Sequence, residues 1–127
     1  MRIRKASEDY LEAMLMLKEA RGFIRSVDIA DMLGVTKPSV SYATKRLREN
    51  GYITMDGAGR IELTQTGYDI ASSIYERHKC LQTFLQALGV SEKTARSDAC
   101  KLEHDISDES FSAILAYADK QRRNSDV

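Results

Sequence analysis

Two cysteines are all that the 127 residues contain, Cys80 and Cys100, which is too few for a disulfide-stapled scaffold. Both read as reduced thiols. No apolar run approaches the roughly 18 residues that a membrane span requires, so membrane insertion is not expected. The basic start, Met1 to Lys5, is followed by Ser7-Glu8-Asp9 rather than an apolar stretch. That pattern is not a secretory signal, and the cytoplasm is the expected compartment. Internal repeats and low-complexity segments are also missing. Net charge is missing too, at a formal value of zero, but the zero hides an asymmetry. Residues 1–60 carry 11 Lys/Arg against 8 Asp/Glu, and residues 61–127 carry 8 against 11. A basic front half and an acidic back half suit a nucleic-acid module joined to a part that attracts cations.

What is present is an ordinary globular balance, 43% hydrophobic and 30% charged. Ser7 can cap a helix running to about Ala20, with Gly22 past its end. Ser26 can cap a second, from Val27 to about Leu33, closed by Gly34. Thr36 caps a third that reaches about Glu49, with Pro38 in its first turn, where a missing N–H costs nothing. Its apolar stripe is Val40, Ala43 and Leu47. Tyr52–Met55 and Arg60–Leu63 read as two short strands around the turn Asp56-Gly57-Ala58-Gly59. Thr64 then caps a long helix to about Leu88, Ser91 opens another to about His104, and Ser107 or Asp108 opens the last. Beyond Lys120 a polar, frayed tail is expected.

Two short helices around a glycine-bearing turn match a helix-turn-helix, and the hairpin after them is its wing. Ile29, Ala30, Leu33 and Val35 supply the packing between the helices. The expected fold is therefore mainly α. A winged helix-turn-helix with a two-stranded wing is expected over residues 1–70 and a helical domain over 71–127, whose metal-binding and dimerisation roles rest on the residues and the resemblance given next. In the major groove, Thr36, Lys37, Pro38, Ser39, Ser41 and Tyr42 are candidates for base edges. Lys45, Arg46 and the wing residue Arg60 are candidates for phosphates. Read without function, the same lysines and arginines are a solvated helix face. Winged helices also serve as protein-interaction modules.

The most specific pattern is Cys100-Lys101-Leu102-Glu103-His104. At helical spacing Glu103 lies about 60° to one side of Cys100 and His104 about 40° to the other. A thiol, a carboxylate and an imidazole thus share one face, a donor mix that suits a first-row divalent ion. His78, the other histidine, stands on the preceding helix, and Asp9 and Glu12 share a face of the first. Together they offer six donors from three helices. The plain structural alternatives are a buried core cysteine, a surface Glu-His pair, and carboxylates that favour a helix dipole.

These residues resemble the diphtheria-toxin-repressor family of iron- and manganese-dependent transcriptional repressors. The resemblance runs through Ser7–Glu12, Thr36–Tyr42, Leu63–Gly67, Arg77-His78 and Cys100–His104. It is similar to the short branch, with no residues expected after about 127 for an SH3-like domain. The resemblance implies Asp9, Glu12, His78, Cys100, Glu103 and His104 as metal ligands. Asp9 and Glu12 match the manganese branch, and Cys100 matches the iron branch. Gln82 departs from the long branch, so its ancillary site is not expected. The thiolate softens the site toward Fe²⁺ and later metals. Fe²⁺ is the expected signal, with Mn²⁺ the alternative, and Zn²⁺, Co²⁺ or Ni²⁺ should bind in vitro. The expected partners are double-stranded DNA at a palindromic operator and a second copy of the chain, docked through Phe84, Leu88, Phe111, Ile114 and Leu115. The competing readings are a MarR-like regulator of small organic ligands and a metalloenzyme. So many donors would saturate the ion, whereas catalytic sites keep a position open.

Overall fold

A computed structural model describes residues 5–125, in the order α1 (Lys5–Arg21), β1 (Ile24–Arg25), α2 (Ser26–Leu33), α3 (Lys37–Glu49), β2 (Ile53–Met55), β3 (Arg60–Leu63), α4 (Gln65–Ala87), α5 (Glu92–Asp105) and α6 (Asp108–Ser125). The chain divides into two compact units, one ending at Ile74 and the other beginning at Tyr75, within α4. Among the described residues, no helix is long and apolar enough to cross a membrane.

In the first unit α1 contributes Leu11, Met14, Leu15 and Leu17 to the core and packs against α2, α3, β1 and β3. Ser7 lies inside α1 rather than capping it. Ser26 likewise starts α2 as a helical residue, and the N-cap is Arg25, with no side-chain cap bond. At the other end Gly34 takes φ 67°, the left-handed conformation that closes a helix at little cost to glycine. Ile29 and Ala30 are buried between α2 and its neighbours, whereas Leu33 is half-buried and Val35 exposed, so Val35 is no packing residue. Fully burying one such isoleucine is worth about 1.5–3 kcal/mol.

Thr36 caps α3 as its sequence position predicts, accepting the Ser39 N–H at 3.2 Å. The buried face of α3 is Val40, Thr44 and Leu47, not the expected Val40, Ala43 and Leu47. Thr44 can be buried because its hydroxyl donates to the Ser41 carbonyl at 3.1 Å, which satisfies it inside the helix.

The expected two-stranded wing, β2 with β3, is present, and β1 extends it to a three-stranded antiparallel sheet in the order β1-β3-β2. Ile24 pairs with Ile61, and Ile53 with Leu63. Ile24, Ile53 and Ile61 are buried, while Arg60 and Glu62 alternate outward. At the wing tip the Asp56 carboxylate accepts the N–H groups of Ala58 and Arg60, both at 2.9 Å, which closes the turn.

Thr64 joins wing to helix. Its hydroxyl donates to the Gly51 carbonyl at 2.7 Å and accepts the Gly67 N–H at 3.2 Å. Gly67 is then pressed against the chain: a Cβ there would stand 2.0 Å from the Tyr52 carbonyl oxygen. In the second unit Ser91 caps α5 by accepting the Thr94 N–H, and Ser107 caps α6 by accepting that of Ser110. α6 runs on to Ser125, past the point where fraying was expected, with Arg122 and Arg123 in its last turn complementing the helix dipole.

The backbone contact at Gly67 leaves no room to relax. Gly67→Ala should cost about 3 kcal/mol, the upper end for overpacking, read as a lower urea midpoint. A wild-type midpoint would refute the close approach of helix and wing.

Candidate metal centre and DNA-reading surface

α4 and α5 bring three of the expected ligands together. His78 Nδ1 lies 3.0 Å from Glu103 Oε2 and 3.7 Å from Cys100 Sγ. One ligand atom from each of these residues falls within 4.8 Å of the others. His104 stands beside them, with Nε2 3.2 Å from Glu103 Oε1. Helical spacing explains the arrangement: residues 100, 103 and 104 share one turn of α5.

Glu103 is 0% exposed. A carboxylate so deeply placed is costly unless cations or donors compensate it. Its Oε1 accepts no hydrogen bond of good geometry, despite the nearby imidazole. His78 is also buried, whereas Cys100 as a residue is exposed. Sulfur, nitrogen and oxygen donors around a buried, under-bonded carboxylate fit a first-row divalent cation.

The metal-free centre answers its negative charge with a proton. His78 is pushed up to about 10, first by its hydrogen bond with Cys100 and then by that with Glu103, against the opposing effect of burial. Elsewhere burial raises the Cys80 thiol, although Cys80 is only half-buried rather than a core cysteine, and also Tyr10.

Asp9 and Glu12 lie in the first unit, one turn apart on α1, with Asp9 partly exposed and Glu12 buried. Thr36, Lys37, Pro38, Ser39, Ser41, Tyr42, Lys45 and Arg46 fall on the exposed N-cap and outer face of α3, and Arg60 is exposed on β3. Two pairs within that surface are already organised. Thr36 Oγ1 donates to Ser39 Oγ at 2.9 Å. Arg46 donates to the Tyr42 hydroxyl at 3.3 Å, with its guanidinium 5.8 Å from the ring centroid.

In the second unit α4 and α6 leave a groove of about 610 Å³ whose lining includes Phe84, Leu88, Leu115 and Tyr117. Leu88 and Leu115 are exposed, Phe111 and Ile114 half-buried, and Phe84 meets Tyr117 edge to face at 6.3 Å. Tyr117 adds to the expected set of Phe84, Leu88, Phe111, Ile114 and Leu115.

The fold and these side chains define a class: a winged helix-turn-helix joined to a helical unit that gathers metal-ligating groups. The family model described as "Iron dependent repressor, N-terminal DNA binding domain" matches residues 3–59. The model described as "Iron dependent repressor, metal binding and dimerisation domain" matches residues 64–126. The chain belongs to the iron-dependent repressor family, the same family its motifs resemble. It is 40% identical over 114 residues to the transcriptional regulator MntR of Salmonella typhimurium, covering 90% of this chain and 73% of that one. An HTH-type transcriptional regulator of Methanocaldococcus jannaschii is 36% identical over 115 residues, 89% of this chain and 92% of its own. The solved structure of a manganese-dependent transcriptional repressor with manganese superposes with a TM-score of 0.80 at 28% identity, covering 87% of this chain and 51% of that one. The chain thus spans about half the length of that solved relative. Since the curated relatives are named as transcriptional regulators, the metalloenzyme alternative is set aside.

The His78 proton has a measurable consequence. A folded-state value above the unfolded one, about 6.5, means that its stabilisation is complete below pH 6.5. It declines as pH rises and is gone above about pH 10. With chelator present, the Tm should fall as pH is raised from 7 toward 9, and the slope should flatten in His78→Gln. Equal slopes in the two proteins would rule out the buried imidazolium.

Proposed function

We propose that the chain is a transcriptional repressor that binds DNA as a homodimer in the cytoplasm when a divalent metal, Fe²⁺ in the cell, is bound. The observation that carries this reading is the buried Glu103 carboxylate set among His78, Cys100 and His104. The ligand set is Asp9, Glu12, His78, Cys100, Glu103 and His104. The last four are supported by their shared cluster in the second unit, and Asp9 and Glu12 by the family resemblance.

A bound cation would supply the positive charge that offsets these carboxylates. To ligate it, His78 gives up its Nδ1 proton and Cys100 acts as thiolate, so loading releases protons and weakens in acid. Asp9 and Glu12 sit on α1, in the unit that carries the reading helix α3. As ligands, they would link the DNA-reading unit to the metal held by the second, and the cation would supply positive charge that offsets their mutual repulsion. Coupling of this kind is reciprocal, so operator DNA tightens metal binding.

On DNA, Lys37, Pro38, Ser41 and Tyr42 face base edges together with Thr36 and Ser39, while Lys45, Arg46 and Arg60 hold phosphates. The apolar surface of α4 and α6 pairs two copies, and a two-fold dimer implies a palindromic operator. Fe²⁺ is favoured over Mn²⁺ because of the Cys100 sulfur, although the relatives' names favour manganese.

Operators selected anaerobically from random duplexes with metal-loaded protein provide the test. Chelation should weaken binding to the selected site at least about 100-fold, within the range of known allosteric couplings. Unchanged affinity would sink the mechanism. Normal metal-free binding by Cys100→Ala with His104→Ala would favour a regulator of organic ligands instead. Cys100→Glu should shift activation from Fe²⁺ toward Mn²⁺.

A further inference from the structure

Immediately before His78, Arg77 makes three contacts that the metal centre does not itself require. Its Nη1 donates to the Ile106 carbonyl at 3.2 Å. Its Nη2 is ion-paired with Asp108. Its guanidinium lies 5.0 Å from the centroid of the Phe111 ring. The side chain is only 12% exposed, although that of Asp108 is 91% exposed.

The targets of these contacts matter more than their number. Ile106 is the C-cap of α5, two residues beyond His104. Asp108 and Phe111 belong to the first turn of α6. Neighbouring residues of α4 therefore reach the two ends of one problem: His78 meets the ligand face of α5, and Arg77 clasps the point where α5 stops and α6 starts. A cation at the carbonyl end of α5 is also favourable to that helix's dipole. The planar fork allows simultaneous bonding to a carbonyl and a carboxylate while its face covers an aromatic ring, which lysine cannot reproduce.

We propose that Arg77 is a positioning residue that fixes the ligand-bearing turn of α5 against His78 and so sets the affinity and metal preference of the centre. The proposal rests on the reading of His78, Cys100, Glu103 and His104 as ligands. Metal sites lose affinity when the groups that orient their ligands are removed, typically by about 10–100-fold.

Co²⁺ is the probe, titrated anaerobically into the full chain. Its thiolate charge-transfer band reports Cys100 ligation, and its visible bands report geometry. Arg77→Met should weaken Co²⁺ by at least about tenfold and alter the visible bands, and Arg77→Lys should restore only part of the loss. If Arg77 merely supports the fold, Arg77→Met will lower the metal-free Tm while Co²⁺ affinity and spectrum stay as in the wild type, and the proposal fails. Should Arg77→Met not fold, Asp108→Asn decides: a smaller loss of affinity in the same direction is expected, and a wild-type titration overturns the proposal. A wild-type protein with no thiolate band, or a band that survives in Cys100→Ser, would instead refute the ligand assignment itself.

Discussion

A carboxylate with no exposed surface sets the terms for the second unit. Charge can be held inside a protein only if something of opposite sign, or a full set of donors, compensates the lost hydration. Glu103 has an imidazole nitrogen near each oxygen, and a carboxylate held this deep calls for a compensating cation. Without metal that cation is the proton on His78, drawn there by Cys100 and Glu103 together. Proton and metal ion therefore compete for the same electrostatic need. A sensor built this way responds to metal concentration at a threshold that depends on pH, which follows from the buried charge.

Exposure divides the roles of the donors further. His78, Glu103 and His104 are buried, whereas Cys100 is open to solvent on the same turn of α5. On the proposed ligand set, Cys100 would add the softest donor to buried nitrogen and oxygen ligands.

Much of this was legible in the sequence where the information is local. Thr36 as a cap, Gly34 as a left-handed stop, and the shared face of Cys100, Glu103 and His104 each depend on residues within one or two turns. The miscues have two physical origins, partners supplied by distant chain and a hydroxyl satisfied within its own helix. Ser26 looks like a cap, but the chain enters α2 from β1, a two-residue strand too short to show alternation and stabilised only by pairing with β3. Ala43 fits the apolar stripe of α3 better than Thr44, yet the threonine is the buried residue because its hydroxyl bonds within its own helix. Gly67 carries no local turn signal, since its need for a bare backbone comes from Tyr52. Arg77 enters the sequence reading only through the Arg77-His78 pair, because its three partners lie at least 29 residues away along the chain.

Selectivity then has to be explained against the ordinary order of affinities. Divalent ions later in the first row bind nitrogen and sulfur donors more tightly than Fe²⁺ or Mn²⁺ do, whatever protein supplies the donors. Exchanging a carboxylate for the Cys100 thiolate moves the centre toward softer ions but cannot by itself single out Fe²⁺. The remaining discrimination must come from which ions produce the active arrangement once bound, and that depends on how far the ligand turn of α5 can shift to suit an ion. A turn free to adjust would let any ion, once bound, produce the same arrangement. One clasped at its end by Arg77, as proposed, would impose its own spacing, so that only ions compatible with it would give the active arrangement.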